Sequence, residues 1–511
     1  MNNTRINNSI KNVVVATALH ILSIIVSFVS RTILIKLLGE HYLGINGLYS
    51  NILQLLSLAD LGITTAFVYS LYKPLAQKDY ETLSSYLLFF KKIFYGIAVV
   101  ILILGIFLVP VLPFIVNGST IPMTELQTFF ILSVLNISAS YLGIYKSSLI
   151  KADQKEYVIK IVSTLTTILM HVMQIAVLFL TRNYYLYLVV AISTTLLNKF
   201  ILTIIVNKYY NLKNIATPKL TKEQKKGCLK NVFSVTIYKL GTVIINSTDN
   251  ILISILLGTI IVGYYSNYAL IISIVTTFIS ILSSAILGSV GNLGTENNSK
   301  KTKTVFHASL LLYHAVAAFC SICLVCVLND FILIWLNDSQ YIFSQFHVFL
   351  FVFTFYVTTI SNPLWIFRES LGLFSSVRYI MLISALINIL LSILFSSFWG
   401  VGGIIFATGV SRLLTLFWYE PLFLYKKKFN SSCSEYWKHI FYYTIQTAII
   451  IVVSYFFCSL ITGTAFILII LKVIICFVIT LLVSFLFNFK TIEGKYFINI
   501  IKKLVHKKRK A

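Results

Sequence analysis

The sequence predicts an all-α, polytopic membrane protein with about fourteen transmembrane helices, and three observations predict it. Apolar residues fill 58% of 511 positions and charged residues only 11%, where soluble domains run near about 25% charged. Long apolar runs recur from one end of the chain to the other, each long enough to cross a bilayer as a helix. Lysine and arginine collect in alternate connections, the pattern left by the positive-inside rule. The net charge of +25 is thus a matter of topology. No nucleic-acid partner is expected, because no basic domain, Gly-rich phosphate loop or zinc-knuckle spacing accompanies that charge.

Taken in order, the spans are read at about 12–36, 42–72, 84–115, 124–150, 156–181, 184–207, 229–257, 260–290, 304–329, 341–367, 374–398, 401–425, 437–460 and 464–488. Arg5 and Lys11 precede the first, which is too long for a signal-peptide core and has no A-x-A-like site after it, so it is read as a retained helix. Gly39-Glu40-His41 breaks the chain between the first two spans. Pro110 and Pro113 close the third, and Pro363 bends or breaks the tenth. Several runs exceed the roughly 20 residues a crossing needs, so some helices tilt or project.

Orientation follows from the basic residues. With the N-terminus inside, the inner segments hold Lys73, Lys78, Lys91 and Lys92, then Lys146, Lys151, Lys155 and Lys160, then the cluster from Lys208 to Lys230. Lys300, Lys301 and Lys303 follow, with Arg368 and Arg378, Lys426 to Lys428, Lys438, and a tail from Lys490 to Lys510. The outer loops hold Arg182, and the longest of them, 110–124 and 328–341, hold no basic residue at all. Both termini are expected in the cytoplasm. The basic tail is expected to lie on anionic lipids of the inner leaflet.

A weak internal repeat organises the spans. LLGEHYLGINGLYSNI at 37–52 aligns with LLGTIIVGYYSNYALI at 256–271, pairing Gly44 with Gly263 and Tyr49 with Tyr268. YKSSLIKADQKEY at 145–157 aligns with FRESLGLFSSVRY at 367–379, pairing Lys146 with Arg368 and Ser148 with Ser370. The two offsets, 219 and 222, nearly agree, and an even number of spans separates the copies, so the repeat is parallel. The expected domains are an N-lobe at 1–207, a cytoplasmic linker at 208–228, a C-lobe at 229–428, two further spans within 429–489, and the basic tail 490–511.

The first two spans carry polar stripes at helical spacing: His20, Ser23, Ser27 and Arg31 on one, Asn46, Ser50, Gln54, Ser57 and Thr64 on the other, with Asp60 beside them. An arginine or aspartate near a span's centre costs about 2.5–3.5 kcal/mol in lipid, so these faces should meet protein or a wet cavity. The stretch RTILIKLLG, YLGINGLY and LSLADLGI between Arg31 and Ile63 also carries a resemblance. It is similar to the polysaccharide-flippase branch of the multidrug/oligosaccharidyl-lipid/polysaccharide exporter superfamily, above all to Wzx-type flippases, over nearly the whole chain. The resemblance implies a MATE-like fold of two parallel six-helix lobes plus two C-terminal helices, in a bacterial cytoplasmic membrane. It implies no enzyme, but alternating-access transfer of an undecaprenyl-pyrophosphate-linked oligosaccharide repeat unit from inner to outer leaflet for cell-surface polysaccharide synthesis. A polysaccharide polymerase and chain-length machinery would be partners.

Residues that could carry this are the charges that topology does not explain. Arg31, Lys239, Arg412 and Lys199 are the candidate substrate-binding cations, Lys239 sharing a stripe with Thr242, Asn246 and Asp249. Arg31 and Lys239, in counterpart spans, are expected to approach one electropositive cavity with Arg412, where arginine grips phosphate bidentately and lysine acts as a point charge. The alternative for each is a structural ion pair. Asp60 and Asp249 are the candidates for H+ or Na+ coupling, with Glu369 and Glu420 at inner helix ends. No other cofactor is implied and no metal site is read. Cys320, Cys323 and Cys326 share a helical face in an apolar run and read as packing residues, while Cys228, Cys433, Cys458 and Cys476 are scattered. His20, His171, His307 and His314 lie in spans and could relay protons, but a lone histidine in a span reads more often as a packing residue. A MATE-type ion-coupled multidrug exporter is the first rival, though its cationic substrates want acidic or aromatic cages. A glycan polymerase or ligase would want a large outer loop with catalytic groups, which the outer loops do not offer.

Overall fold

The computed structural model describes residues 21–57, 63–153, 155–210, 218, 220–229, 232–295, 299–371, 373, 377–463 and 465–495. Every regular element in them is helical. By contacts the chain divides into two compact units, Met1–Gly263 and Tyr264–Ala511.

The first unit opens with α1, Ile21–Leu38. It continues with α2 (Glu40–Leu56), α3 (Ile63–Gln77), α4 (Tyr80–Leu108), α5 (Leu112–Ile115), α6 (Met123–Tyr141) and α7 (Ile144–Ala152). Next come α8 (Glu156–Thr181), α9 (Tyr184–Tyr210), the short α10 (Lys222–Leu229) and α11 (Val232–Leu257). Helix α12 (Thr259–Thr295) begins in this unit and runs into the second. There it is followed by α13 (Ser299–Leu336), α14 (Gln345–Ile360), α15 (Asn362–Ser370), α16 (Arg378–Leu414), α17 (Leu416–Leu424), α18 (Ser434–Ser459) and α19 (Phe466–Asn488).

Eleven of the described helices are long and apolar enough to cross a membrane, or twelve if α6 and α7, bent by 42°, make one span. The fourteen spans read from the sequence are compatible with this. The apolar run Tyr379–Phe429 is 51 residues long, about 75 Å as one helix, more than twice a bilayer's hydrocarbon thickness. Its backbone leaves helical geometry at Trp399 and Gly400, between the spans read at 374–398 and 401–425. Helices α2 and α3, at 17 and 15 residues, are each too short to cross alone, and residues 58–62 between them lie outside the described set. Ser361 separates α14 from α15, with Pro363 in the first turn of α15, and Gln345–Ser370 remains one candidate span.

Aromatic rings make the core of the first unit: Phe67, Phe90 and Phe94 are fully buried between α3 and α4, with Phe67 and Phe90 stacked at 4.1 Å. In the second unit α13 is the central helix, and Phe306 packs edge-on against Phe367 and Tyr425. Large apolar side chains such as Phe107, Leu180, Leu390, Val452 and Ile467 stay exposed. A surface of that extent is one that a bilayer covers.

The repeat has a physical counterpart. Gly39 and Gly258, the third residues of the two LLG triplets, both take positive φ, +88° and +104°, a conformation that L side chains rarely adopt. Each turns the chain sharply from one span into the next. A Cβ on Gly44 would lie 2.1 Å from the Thr259 carbonyl oxygen, and one on Gly263 would lie 2.8 Å from that of Glu40. The paired glycines are thus the point where α2 crosses the first turn of α12. The hydroxyl of Tyr49 donates to the Leu126 carbonyl at 2.8 Å, and that of Tyr268 to Asn329 Oδ1 at 2.6 Å. In the second echo, Lys146 on α7 donates to Asn207 Oδ1 on α9 at 3.1 Å, and Arg368 on α15 binds Glu420 on α17. Each basic residue ties the short helix of its copy to the end of a later span.

Gly44→Ala is expected to lower thermal stability in detergent by about 1–3 kcal/mol, because backbone atoms must move to admit the methyl. Gly96→Ala, whose Cβ would meet nothing within 4 Å, should be neutral or gain up to about 1 kcal/mol. Unfolding midpoints of the two variants, measured side by side by intrinsic fluorescence, check the contrast.

Candidate functional site

In the first unit a polar network joins α1, α2, α8 and α9. Arg31 sits partly buried on α1 within electrostatic reach of the Tyr187 hydroxyl, beside the buried Ser30. One turn earlier, Ser27 Oγ is 3.3 Å from His171 Nε2 on α8. Buried Gln174 donates its Nε2 to the Tyr187 carbonyl at 3.2 Å. Tyr184 stacks on Tyr187 at 5.3 Å and points its hydroxyl at Asn46 Oδ1 of α2 at 3.5 Å. Of the two surroundings expected for this stripe, protein or a wet cavity, Ser27 and Arg31 meet protein. His20 of the same stripe lies outside the described residues.

The polar stripe of α2 behaves differently. Ser50 and Gln54 are exposed while Leu43, Leu48, Tyr49 and Ile52 on the other face are buried. An exposed amide on a helix of this kind belongs in water or a wet cavity, since lipid offers it no partner. The second unit has a face of the same kind that sequence reading passed over: Ser273, Thr276, Ser280 and Ser284 of α12 are all exposed, each hydroxyl bonded to a carbonyl of its own helix. Gln54 with Ser273, and Ser57 with Thr276, are counterparts at the 219-residue offset of the repeat. Their three- and four-residue intervals were the available signal.

Lys199 lies on α9, twelve residues beyond Tyr187 and so about 18 Å along the helix from the neighbourhood of Arg31. It is partly buried, and its stem packs 3.6 Å from where a Cβ on Gly143 would sit. The turns around it are polar: Thr195 donates to Asn136 Oδ1 at 2.8 Å, and Asn198 to Thr166 Oγ1 at 2.9 Å. Asp249 is partly buried on α11, and its neighbour Asn250 reaches the Gly47 carbonyl of α2 at 3.5 Å. The backbone of Lys239 is helical on α11, but its side chain, like the whole of Asp60, lies outside the described residues.

In the second unit the charges are answered by carboxylates. Arg412, partly buried in the last turn of α16, interacts with Glu420. Glu420 is buried and ion-paired to the buried Arg368, whose Nη2 also lies 3.5 Å from Glu369 Oε1. Lys472 of α19 bonds Asp330 Oδ2 of α13 at 2.7 Å. Asp330 falls in the segment read from sequence as an outer loop, so it was not weighed as a partner. Cys458 and Cys476, scattered in sequence, gather beside Cys326, with Cys458 and Cys476 Sγ atoms 3.7 Å apart.

No family model matches the sequence, and no curated protein matches it. Solved structures do. A lipid II flippase, MurJ, in an inward closed conformation superposes with a TM-score of 0.66 at 15% identity, over 93% of this chain and 98% of its own. The fold is MATE-like. An inward-facing multidrug resistance MATE family transporter of the MOP superfamily shares it at TM-score 0.57 and 12% identity, over 79% of this chain and 95% of that one. A Vibrio cholerae MATE transporter, VcmN, shares it at 0.57 and 10% identity, over 84% and 99%. Within this MATE-like fold, Arg368, Lys472 and Arg412 of the second unit stand opposite carboxylates, and Arg31 of the first lies near the Tyr187 hydroxyl.

The Lys472–Asp330 pair makes a clean test of a structural charge. Asp330→Asn, which strands the lysine, is expected to cost about 3 kcal/mol. The double variant Asp330→Asn, Lys472→Met should recover most of that loss, and thermal unfolding of the two single variants and the double variant measures the coupling.

Proposed function

We propose that this protein is a flippase that carries an undecaprenyl-pyrophosphate-linked oligosaccharide repeat unit from the inner to the outer leaflet of a bacterial cytoplasmic membrane. The observation that carries the reading is Arg31: a guanidinium on α1 within electrostatic reach of the Tyr187 hydroxyl of α9, one turn beyond Ser27 and its contact with His171 of α8. A pyrophosphate is the ligand such a group suits, because two parallel N–H donors match two phosphate oxygens. Lys199 and Arg412 are assigned the same role, as is Lys239. The exposed hydroxyl and amide of Ser50 and Gln54 on α2 give sugars hydrogen-bonding surface.

The extent of the fold likeness supports a lipid-flippase reading over a drug exporter. The MurJ flippase is matched by 93% of this chain and the two MATE transporters by 79% and 84%; α18 and α19 together, at 26 and 23 residues, are of the size of that difference. Transport would proceed by alternating access, with Asp60 or Asp249 exchanging H+ or Na+. Both termini would face the cytoplasm, the basic tail would lie on anionic lipid, and a polysaccharide polymerase with its chain-length machinery would take up the product.

Proteoliposomes carrying a fluorescent undecaprenyl-pyrophosphate glycan test this directly. Wild-type protein should expose the lipid-linked glycan to an outside quencher, Arg31→Ala should slow this at least tenfold at equal protein level, and Arg31→Lys should retain part of the rate. Unchanged flipping by Arg31→Ala, or transport of organic cations in place of the glycan, would overturn the reading. Orientation has its own measurement: in a background without native cysteines, Lys222→Cys at the exposed start of α10 should react with an impermeant maleimide only after the cells are opened.

A further inference from the structure

Three side chains from distant parts of the second unit converge at the end of the bundle that holds the N-terminus of α13. His307 is buried in α13, His439 is partly buried in α18, and Glu493 is buried in the helical turn that follows α19. Each offers one donor atom, and the three donor atoms all lie within 4.8 Å of one another. Glu493 Oε1 is 3.8 Å from His307 Nδ1 and 3.7 Å from His439 Nε2. The two imidazole rings stand nearly perpendicular, at 79°, with centroids 4.6 Å apart.

These separations are informative. They exceed the hydrogen-bond range of about 2.7–3.2 Å for a nitrogen donor, so the groups face one another without being bonded directly. Two ligands at about 2.1 Å from a tetrahedral ion are about 3.4 Å apart, a few tenths of an ångström closer than each imidazole nitrogen now stands to the carboxylate oxygen. The remaining nitrogen of His307 is already engaged: its Nε2 is 2.7 Å from the Tyr425 hydroxyl. That contact orients the ring and leaves Nδ1 aimed at the carboxylate, the arrangement that metal-ligating histidines need from their outer partners.

Access and charge are also suitable. A cavity of about 320 Å³, lined by His439, Glu493, Lys438, Tyr442, Tyr443 and Asn488, opens beside the cluster. It can admit an ion and leave a water in a fourth position. Lys303, near His307, is ion-paired to Glu435, and Lys438, beside His439, is exposed. Two imidazoles and one carboxylate form a donor set for a borderline divalent ion, unlike the all-oxygen sets that calcium and magnesium take. We propose that His307, His439 and Glu493 bind one zinc-class divalent cation. The ion cross-links α13, α18 and the segment after α19, and so fastens the C-terminal helices to the rest of their unit.

The test uses tag-free, full-length protein in detergent, stripped with a chelator and dialysed against graded zinc chloride, with bound zinc measured by mass spectrometry and stability by thermal unfolding. Wild-type protein should take up one equivalent and unfold at a higher temperature when zinc is present. His439→Ala and Glu493→Gln should each weaken binding at least tenfold and abolish the zinc-dependent rise, and Tyr425→Phe should weaken it about tenfold. Glu493→Gln and Tyr425→Phe keep the side-chain shapes, so they report on binding even if His439→Ala unfolds. Cobalt should give the visible absorption of a tetrahedral site in wild-type protein only. The proposal is overturned if wild-type protein binds no stoichiometric zinc, if uptake survives Glu493→Gln, or if it is lost instead on replacing Cys326, Cys458 and Cys476 by alanine.

Discussion

A polar or charged group within a bilayer must find its partner inside the protein, and the rest of this structure follows from that constraint. For the backbone it leaves helices as the regular structure, which is why the described elements are helical throughout. For side chains it sorts residues by how they are answered. Ser273, Thr276 and Ser284 bond carbonyls of their own helix, so they can sit on an uncovered face at little cost. Arg368 and Lys472 cannot do this. Each reaches across to a carboxylate on another helix, because one unanswered charge there costs more than the pair gains. Arg31 lies on α1 within electrostatic reach of the Tyr187 hydroxyl of α9.

The same constraint explains why glycine marks the repeat. Helices in lipid gain little from hiding apolar surface from each other, so close backbone approach supplies dispersion contacts that a hydrophobic effect would otherwise provide. Gly44 and Gly263 permit the crossing of α2 with the first turn of α12, and Gly39 and Gly258 permit the turns that aim those segments. A repeat whose other positions have diverged retains its match where no side chain fits. Lys146 and Arg368 keep their match for a related reason, since each spans from a short helix to a later one.

What could be read beforehand divides along the same line. Hydropathy and the glycine breaks place the spans well, down to the interruption at Trp399 and Gly400 between two of them. Periodicity tells which face of a helix is polar and, for Ser27 and Arg31, that the face meets protein or a wet cavity. It does not tell which helix lies opposite. Lys472 and Asp330 are 142 residues apart, and His307 and Tyr425 118 apart, so no local pattern announces either contact. Cys458 and Cys476 looked scattered because their meeting with Cys326 depends on how three helices are rotated. The α12 hydroxyl face had a local signal in its spacing, but single serines and threonines are common enough in apolar helices that charged residues drew the attention first.

Helix α13 draws these strands together. Along one side it meets α18 or α19 at successive levels with different chemistry: Lys303 with Glu435, His307 beside His439 and Glu493, His314 Nδ1 3.3 Å from Thr447 and its ring stacked on Tyr443, Cys326 with two thiols, and Asp330 with Lys472. Gln446 and Asn488 join α18 to α19 directly at 2.9 Å. Helices α18 and α19 expose much apolar surface, including Val452, Ile467 and Phe485, which lipid satisfies as well as protein would. Apolar burial therefore gives them little reason to stay attached. A seam of hydrogen bonds, ion pairs and thiol contacts does, because each group in it would have to be left unpaired if the helices separated. The contacts are spread along the helix rather than gathered at one end, so they resist rotation and sliding as well as separation, and α18 and α19 are bound to α13 as a fixed part of that unit.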